Sequence, residues 1–177
     1  MLTNTFPRTL SLLAALALSG AVQALPTDKS QPIHISADSA SRNDQTGITL
    51  YTGQVEVSQG SMLINGESVE LHQNASGVSV IIANGAPAHY QQRPKADQEI
   101  THAYGNTLNY NTLTQELTIT GQAKVSQGSD TFSGDRIIYD MKKSTVHAFS
   151  DKRSKGSRVQ MVIQPKPDNR EPQEPNQ

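Results

Sequence analysis

Five histidines, a scatter of carboxylates and many serines are the side chains in which chemistry would first be sought, since the chain has no cysteine. A metal centre needs ligands that converge, such as two histidines at i, i+2 on a strand or i, i+4 on a helix, or thiolates. His34, His72, His89, His102 and His147 show neither spacing, so no metal site is expected. A glycosidase needs two carboxyl groups flanking one sugar. Asp38, Asp44, Glu56, Glu67, Glu70, Glu99, Glu116 and Asp135 are spread over polar faces and turns. Glu67 and Asp135 are the acid pair such an enzyme would use first, yet no tryptophan is present to stack a sugar. No Gly-x-Ser-x-Gly elbow presents a nucleophile. No glycine-rich loop leads into a helix that could bind phosphate. The sequence therefore assigns no catalytic residue and no cofactor.

What recurs in the chain is strand and turn chemistry. Thr52-Gly53-Gln54-Val55-Glu56-Val57-Ser58-Gln59-Gly60-Ser61 returns as Thr120-Gly121-Gln122-Ala123-Lys124-Val125-Ser126-Gln127-Gly128-Ser129, an offset of 68 positions. Gly66 and Gly134 follow at the same offset, as do Val69 and Ile137, Glu67 and Asp135, and His34 and His102. Self-similarity at a fixed offset marks a structure built from repeated units.

Along both copies the apolar residues alternate, which is the period of a half-buried strand. Ile33 and Ile35, Val55 and Val57, Val69 and Leu71, and Leu117 and Ile119 are examples. Turn signals fall between them at 43–47, Gln59-Gly60, Asn65-Gly66, Asn84-Gly85, Gln127-Gly128 and Ser133-Gly134. No helical period is sustained. The pattern predicts an all-β fold of about 14–16 short antiparallel strands in two related halves, divided by a loop at 91–98. Leu50, Phe132 and Phe149 join the alternating residues as candidates for one shared interior.

The ends read differently. Arg8, the apolar run Leu10 to Leu18 and the small residue at Ala24 predict a cleaved secretory signal over 1–24, too short in its apolar part to span a bilayer. Residues 25–30 are expected as a flexible leader, 31–164 as the β domain and the apolar-free 165–177 as a disordered tail. Loss of Arg8 with the leader leaves 14 basic against 16 acidic residues, a balance with no nucleic-acid footprint. Lys142, Lys143, Lys152, Arg153, Lys155 and Arg158 form one local basic cluster, suited to water or to an anionic partner.

Four segments in order carry a family resemblance over nearly all of 31–164. They are Gln31-Pro32-Ile33-His34-Ile35, the repeated Thr-Gly-Gln-x-x-Val-Ser-Gln-Gly, Gly85-Ala86-Pro87-Ala88 and Ala148-Phe149-Ser150-Asp151-Lys152. In these the chain resembles the LptA family, periplasmic lipopolysaccharide transport proteins of OstA-like fold. The resemblance implies an open, twisted β-jelly roll with an apolar interior that shields acyl chains. It implies head-to-tail homo-oligomers in the periplasm, with LptC at the inner-membrane end and the LptD N-terminal domain at the outer-membrane end. It also implies lipid-lining positions at Ile33, Tyr90 and Tyr110, with Ile35, Val55, Val57, Leu108 and Val125 following by parity. Thr112 stands where a leucine is expected and is not counted. A non-catalytic structural or adhesive repeat module and a carbohydrate-acting enzyme stay as the competing readings.

Overall fold

The computed structural model describes residues 28–94, 98–151 and 157–164. The signal segment, the tail and Lys152, Arg153 and Lys155 lie outside the described residues. Among the described residues there are ten strands, one short 3-10 turn (Asp28–Ser30) and no α-helix. The strands are β1 (His34–Ser36), β2 (Ser39–Asn43), β3 (Ile48–Gln59), β4 (Met62–Asn74), β5 (Gly77–Gln92), β6 (Thr101–Asn111), β7 (Glu116–Gln127), β8 (Asp130–Asp140), β9 (Thr145–Phe149) and β10 (Gln160–Val162). All belong to one antiparallel sheet that does not close. β3 to β8 pair in chain order, β1 and β2 share the free side of β3, and β9 and β10 share the free side of β8.

Each of β3 to β8 is interrupted near its middle by a register shift, at Thr52/Val55, Asn65/Ser68, Asn84/Ala88, Tyr104/Thr107 and Thr120/Ala123. These irregularities line up across the sheet and fold it into two facing leaves. One contact proves the fold. Tyr90 pairs with Ala103, seven residues before Tyr110 on β6, a separation of about 23 Å along a straight strand. The Tyr90 and Tyr110 rings nevertheless lie 5.6 Å apart. The expected number of short strands is thus recovered leaf by leaf, while hydrogen bonding merges them into ten because six run through the bend.

Glycine chemistry explains the bend. Gly53 and Gly121 occupy positive φ (84° and 76°), each followed by a glutamine also at positive φ, Gln54 and Gln122. Gly66 is needed for a different reason: a Cβ there would meet the Asn84 carbonyl oxygen at 2.7 Å. Asn65-Gly66, Asn84-Gly85 and Ser133-Gly134 are therefore bend positions inside strands, where the sequence suggested turns. A glycine in a strand marks a bulge or a close backbone approach as readily as a chain reversal.

The repeat holds to the residue. His34↔Ser58, Ser39↔Thr52 and Asn43↔Ile48 in the first unit become His102↔Ser126, Thr107↔Thr120 and Asn111↔Glu116 in the second. β6 is the counterpart of β1 and β2 together. In the same way β9 and β10 stand to β8 as β5 stands to β4, since Val69↔Ala83 and Ile64↔Tyr90 return as Ile137↔Ala148 and Phe132↔Met161. The expected divider at 91–98 begins later than the sequence suggested, because Gln91 and Gln92 still pair with His102 and Thr101.

Three further expectations are corrected. Leu50 is 41% exposed, since the inward parity of β3 before the bend runs through Thr49 and Tyr51. Phe149 is also outside, with the Arg136 guanidinium 4.7 Å from its ring centre. Of the leader, Asp28–Ser30 form a 3-10 turn tied to the sheet through Asp28 rather than a free segment.

Replacing Gly121 by alanine tests the bend. The new Cβ would sit 2.7 Å from Asn106 Nδ2 at a φ that side chains disfavour. The expected loss is about 1–3 kcal/mol of stability by urea unfolding. An unchanged midpoint would mean the bend does not depend on that conformation.

Candidate functional site

Between the leaves lies one apolar stripe, built by parity from every strand. On one leaf Thr49, Leu71, Ile81, Tyr110, Leu117, Tyr139 and Val146 form a cross-strand row, beside Tyr51, Val69, Ala83, Leu108, Ile119, Ile137 and Ala148. Facing them are Ile35, Val57, Ile64, Tyr90, Ala103, Val125, Phe132 and Met161. The stripe is fully buried in its middle and surfaces at both unpaired sides of the sheet. Ile33 and Ile35 are partly buried at the β1 side, whereas Met161, Val162 and Ile163 are more than half exposed at the β10 side.

All eight residues assigned from the sequence lie on this stripe. Val55, Val57, Tyr90, Leu108, Tyr110 and Val125 are buried, and Ile33 and Ile35 pack against the cluster from its edge. Of the same interior, Ile64, Leu117, Ile119 and Ile137 were legible from alternation, and the structure adds Ile81, Tyr139 and Met141. Met141 was not legible, because it follows β8 in the turn and only the fold of the sheet brings it beneath Tyr90, with its Sδ 3.3 Å from the phenol oxygen. Thr112 does not line the stripe, since its hydroxyl donates to the Val78 carbonyl at 2.7 Å.

Among the described residues, a hydrogen-bonded chain of polar side chains enters the interior beside Tyr90. The Tyr90 hydroxyl donates to Gln92 Oε1, and Gln92 Nε2 donates to Asp28 Oδ2 at 2.7 Å. Burial holds the Tyr90 phenol well above its ordinary pKa. Burial first, and the Asp28 carboxylate second, push Tyr110 up to about 12. Both phenols are neutral donors at any physiological pH, so neither is a base or a nucleophile.

A second polar cluster sits on the outer face where β5 meets β6. His89 Nε2 and His102 Nδ1 are 3.1 Å apart, and the His89 ring stacks on Tyr104 at 4.6 Å. Sequence spacing could not find this pair, because the two histidines meet across strands. Partial burial, and then the neighbouring His102, lower the His89 pKa. Among the described residues no three His, Asp or Glu side chains gather around one point. Asp135, one of the two candidate acids, is occupied by the Ser157 hydroxyl and then by the Asp151 amide, which hold its carboxyl below the usual range.

An open antiparallel sheet folded over one apolar stripe, with both sides left unpaired, is an open β-jelly-roll domain built to hold or extend an apolar interior. The family described as LptA/(LptD N-terminal domain) LPS transport protein matches residues 34–145. The chain belongs to this family. It is 42% identical to the lipopolysaccharide export system protein LptH of Pseudomonas aeruginosa, over 92% of this chain and 95% of that protein. It is 32% identical to the lipopolysaccharide export system protein LptA of Escherichia coli K12, over 92% of this chain and 88% of that one. The crystal structure of the Pseudomonas LptH, described as the LptA homologous periplasmic component of the lipopolysaccharide transport device, superposes with a TM-score of 0.73 at 40% identity, covering 79% of this chain and 100% of that one.

The histidine pair gives a pH prediction. A histidine whose folded pKa is depressed binds fewer protons folded than unfolded, so stability falls as pH drops below the unfolded value of about 6.5. Unfolding midpoints measured from pH 7.5 to 5 should fall, and His89→Gln should flatten that decline. An identical decline in the variant would assign the effect to other groups.

Proposed function

We propose that this protein carries lipopolysaccharide across the periplasm, with acyl chains held between the two leaves and the sugars in water. The carrying observation is the unbroken apolar stripe that runs from the β1 side to the β10 side. Burying a methylene is worth roughly 0.8 kcal/mol, so an acyl chain of about a dozen carbons gains on the order of 10 kcal/mol inside such a stripe. Ile33, Ile35, Val55, Val57, Tyr90, Leu108, Tyr110 and Val125 are the proposed lining. The role needs no catalytic group, and the neutral phenols and the occupied Asp135 fit a binding protein better than an enzyme. A photo-crosslinking residue in place of Ile33 or Tyr110 should capture lipopolysaccharide in cells, above the level at an outward position such as Glu56. No capture at either would favour the second reading, a structural β-repeat with a side-chain-filled interior. That reading has its own support in the closed packing around Tyr90 and Tyr110.

The unpaired sides support assembly. Unpaired strand edges recruit other strands, and a head-to-tail contact that does not close gives a filament. The β1/β2 side is the counterpart of β6, and the β9/β10 side is the counterpart of β5. The internal β5–β6 pairing is then a template for the contact between copies. Tyr90↔Ala103 and Ala83↔Leu108 translate into Met161 against Ile35, and Ala148 against Ala40, of a second copy. Exposed Met161 and Ile163 would there continue the stripe. LptC and the LptD N-terminal domain are the proposed terminal partners at the inner and outer membranes. The second of these shares the family description matched by this chain.

Because the chain lacks cysteine, the register is directly testable. Proteins carrying Met161→Cys and Ile35→Cys singly should form a disulfide-linked dimer on mixing and oxidation. A pairing shifted by one residue turns side chains to the opposite face, so preferential coupling of Val162→Cys with Ile35→Cys would reject this register.

A further inference from the structure

The one polar network inside the stripe joins the N-terminal turn to both leaves. Asp28, on the Asp28–Ser30 turn, lies over the tip of the β3–β4 hairpin. Its Oδ1 accepts from the Ser61 amide at 2.8 Å, and its Oδ2 accepts from the Ser61 hydroxyl at 2.6 Å and from Gln92 Nε2 at 2.7 Å. The turn is pinned further by Gln59, whose Nε2 donates to the Gln31 carbonyl at 2.9 Å. Gly60 makes room for it, since a Cβ there would strike the Asp28 carboxylate. From Gln92 the chain of contacts passes inward to the Tyr90 hydroxyl and across the interior to Met141 on the opposite leaf. Met141 is itself tied to that leaf by its amide, which donates to the Gln115 carbonyl at 3.1 Å.

Polar links in an apolar interior are a poor way to gain stability, because each buried polar group must be fully satisfied or it costs free energy. Here one is not. Thr101 Oγ1, on the residue that pairs with Gln92, is buried without a partner. In this arrangement Val57 and Tyr90 have no exposure at all, so the stripe has no free surface for a chain to enter beside them. The segment that closes it is a single short turn, held by contacts of side chains such as Asp28 and Gln59 rather than by sheet pairing, and such segments open at low cost.

We propose that the Asp28–Ser30 turn is a latch on the interior: while Asp28 holds Ser61 and Gln92 the leaves stay shut on Tyr90 and Met141, and acyl chains enter only when the carboxylate lets go. The inference rests on the acyl-carrying reading above and adds the element that controls access. Release frees Gln92 and with it the Tyr90 hydroxyl, so the Tyr90–Met141 contact parts from the β1 side, where Ile33 and Ile35 lie.

The test uses the full mature chain and the fluorescent long-chain fatty acid cis-parinaric acid, with purified lipopolysaccharide as a second probe. If the open form is a minor one, apparent affinity is reduced by its fraction, and Asp28→Ala should tighten binding about tenfold or more. A double variant, Asp28→Cys with Ser61→Cys, should bind weakly when oxidised and recover on reduction, which separates latching from any loss of fold. Equal or weaker binding by Asp28→Ala, or oxidised and reduced forms that bind alike, overturns the latch and leaves the acyl-carrying reading standing. Absence of binding by the wild type and every variant overturns both.

Discussion

The structure depends on a single geometric event repeated across one sheet: each long strand bends at its midpoint, and the bends stay in line. A flat sheet with this alternation would expose its apolar face along its whole length. Bending brings that face against itself, so one sheet supplies both walls of its own core. The conformations required are costly, since Gln54 and Gln122 adopt a positive φ that non-glycine residues disfavour by about 1–3 kcal/mol each. Burial of residues such as Leu117, Ile119 and Ile137, at essentially zero exposure, is what outweighs that cost.

The same bend explains what the sequence disclosed and what it hid. Alternation identified the strands and nearly all of the interior, because parity survives bending everywhere except at the bulge itself. The repeat disclosed the two units, and the register later matched it residue for residue. Asn65-Gly66 and Ser133-Gly134 look like reversals in the sequence, because a glycine that admits a neighbouring backbone leaves the same trace as one that turns the chain. Leu50 and Phe149 were placed inside by hydrophobicity, where only the register shift decides which face they take. The contacts hardest to see were those between residues distant along the chain and on different strands. His89 with His102 needs the β5–β6 pairing, and Tyr90 with Met141 needs the leaves to close. The Asp28 network needs both.

Polar groups sit where the two halves or the two leaves must meet correctly. The stacked histidines mark the outer face of the junction between units, and the Asp28 network ties the N-terminal turn to the interior. Neither pattern recurs in the other unit: position 160 holds a glutamine where the first unit has His89, and position 96 is an alanine, outside the described residues, where the first unit has Asp28. Duplication therefore accounts for the shared body of the sheet, and the departures from it give each end a distinct character. A protein whose ends differ has a direction, which a symmetric dimer of like faces could not provide.

The pairing of β3 to β8 in strict chain order bears on how the molecule forms. Every one of these strands has its neighbour immediately before it in the chain, so each pairing closes a short loop. Local pairings of this kind are the fast route to a sheet, because little chain entropy is lost before contacts reward it. A chain that emerges N-terminus first can then add one hairpin at a time to the strand already laid down. At each stage the growing side shows the next strand the same kind of edge. The finished side at β9 and β10 is simply the last of these edges, left as open as every earlier one had been, so the proposed stacking of copies would extend the geometry in which the chain itself is laid down.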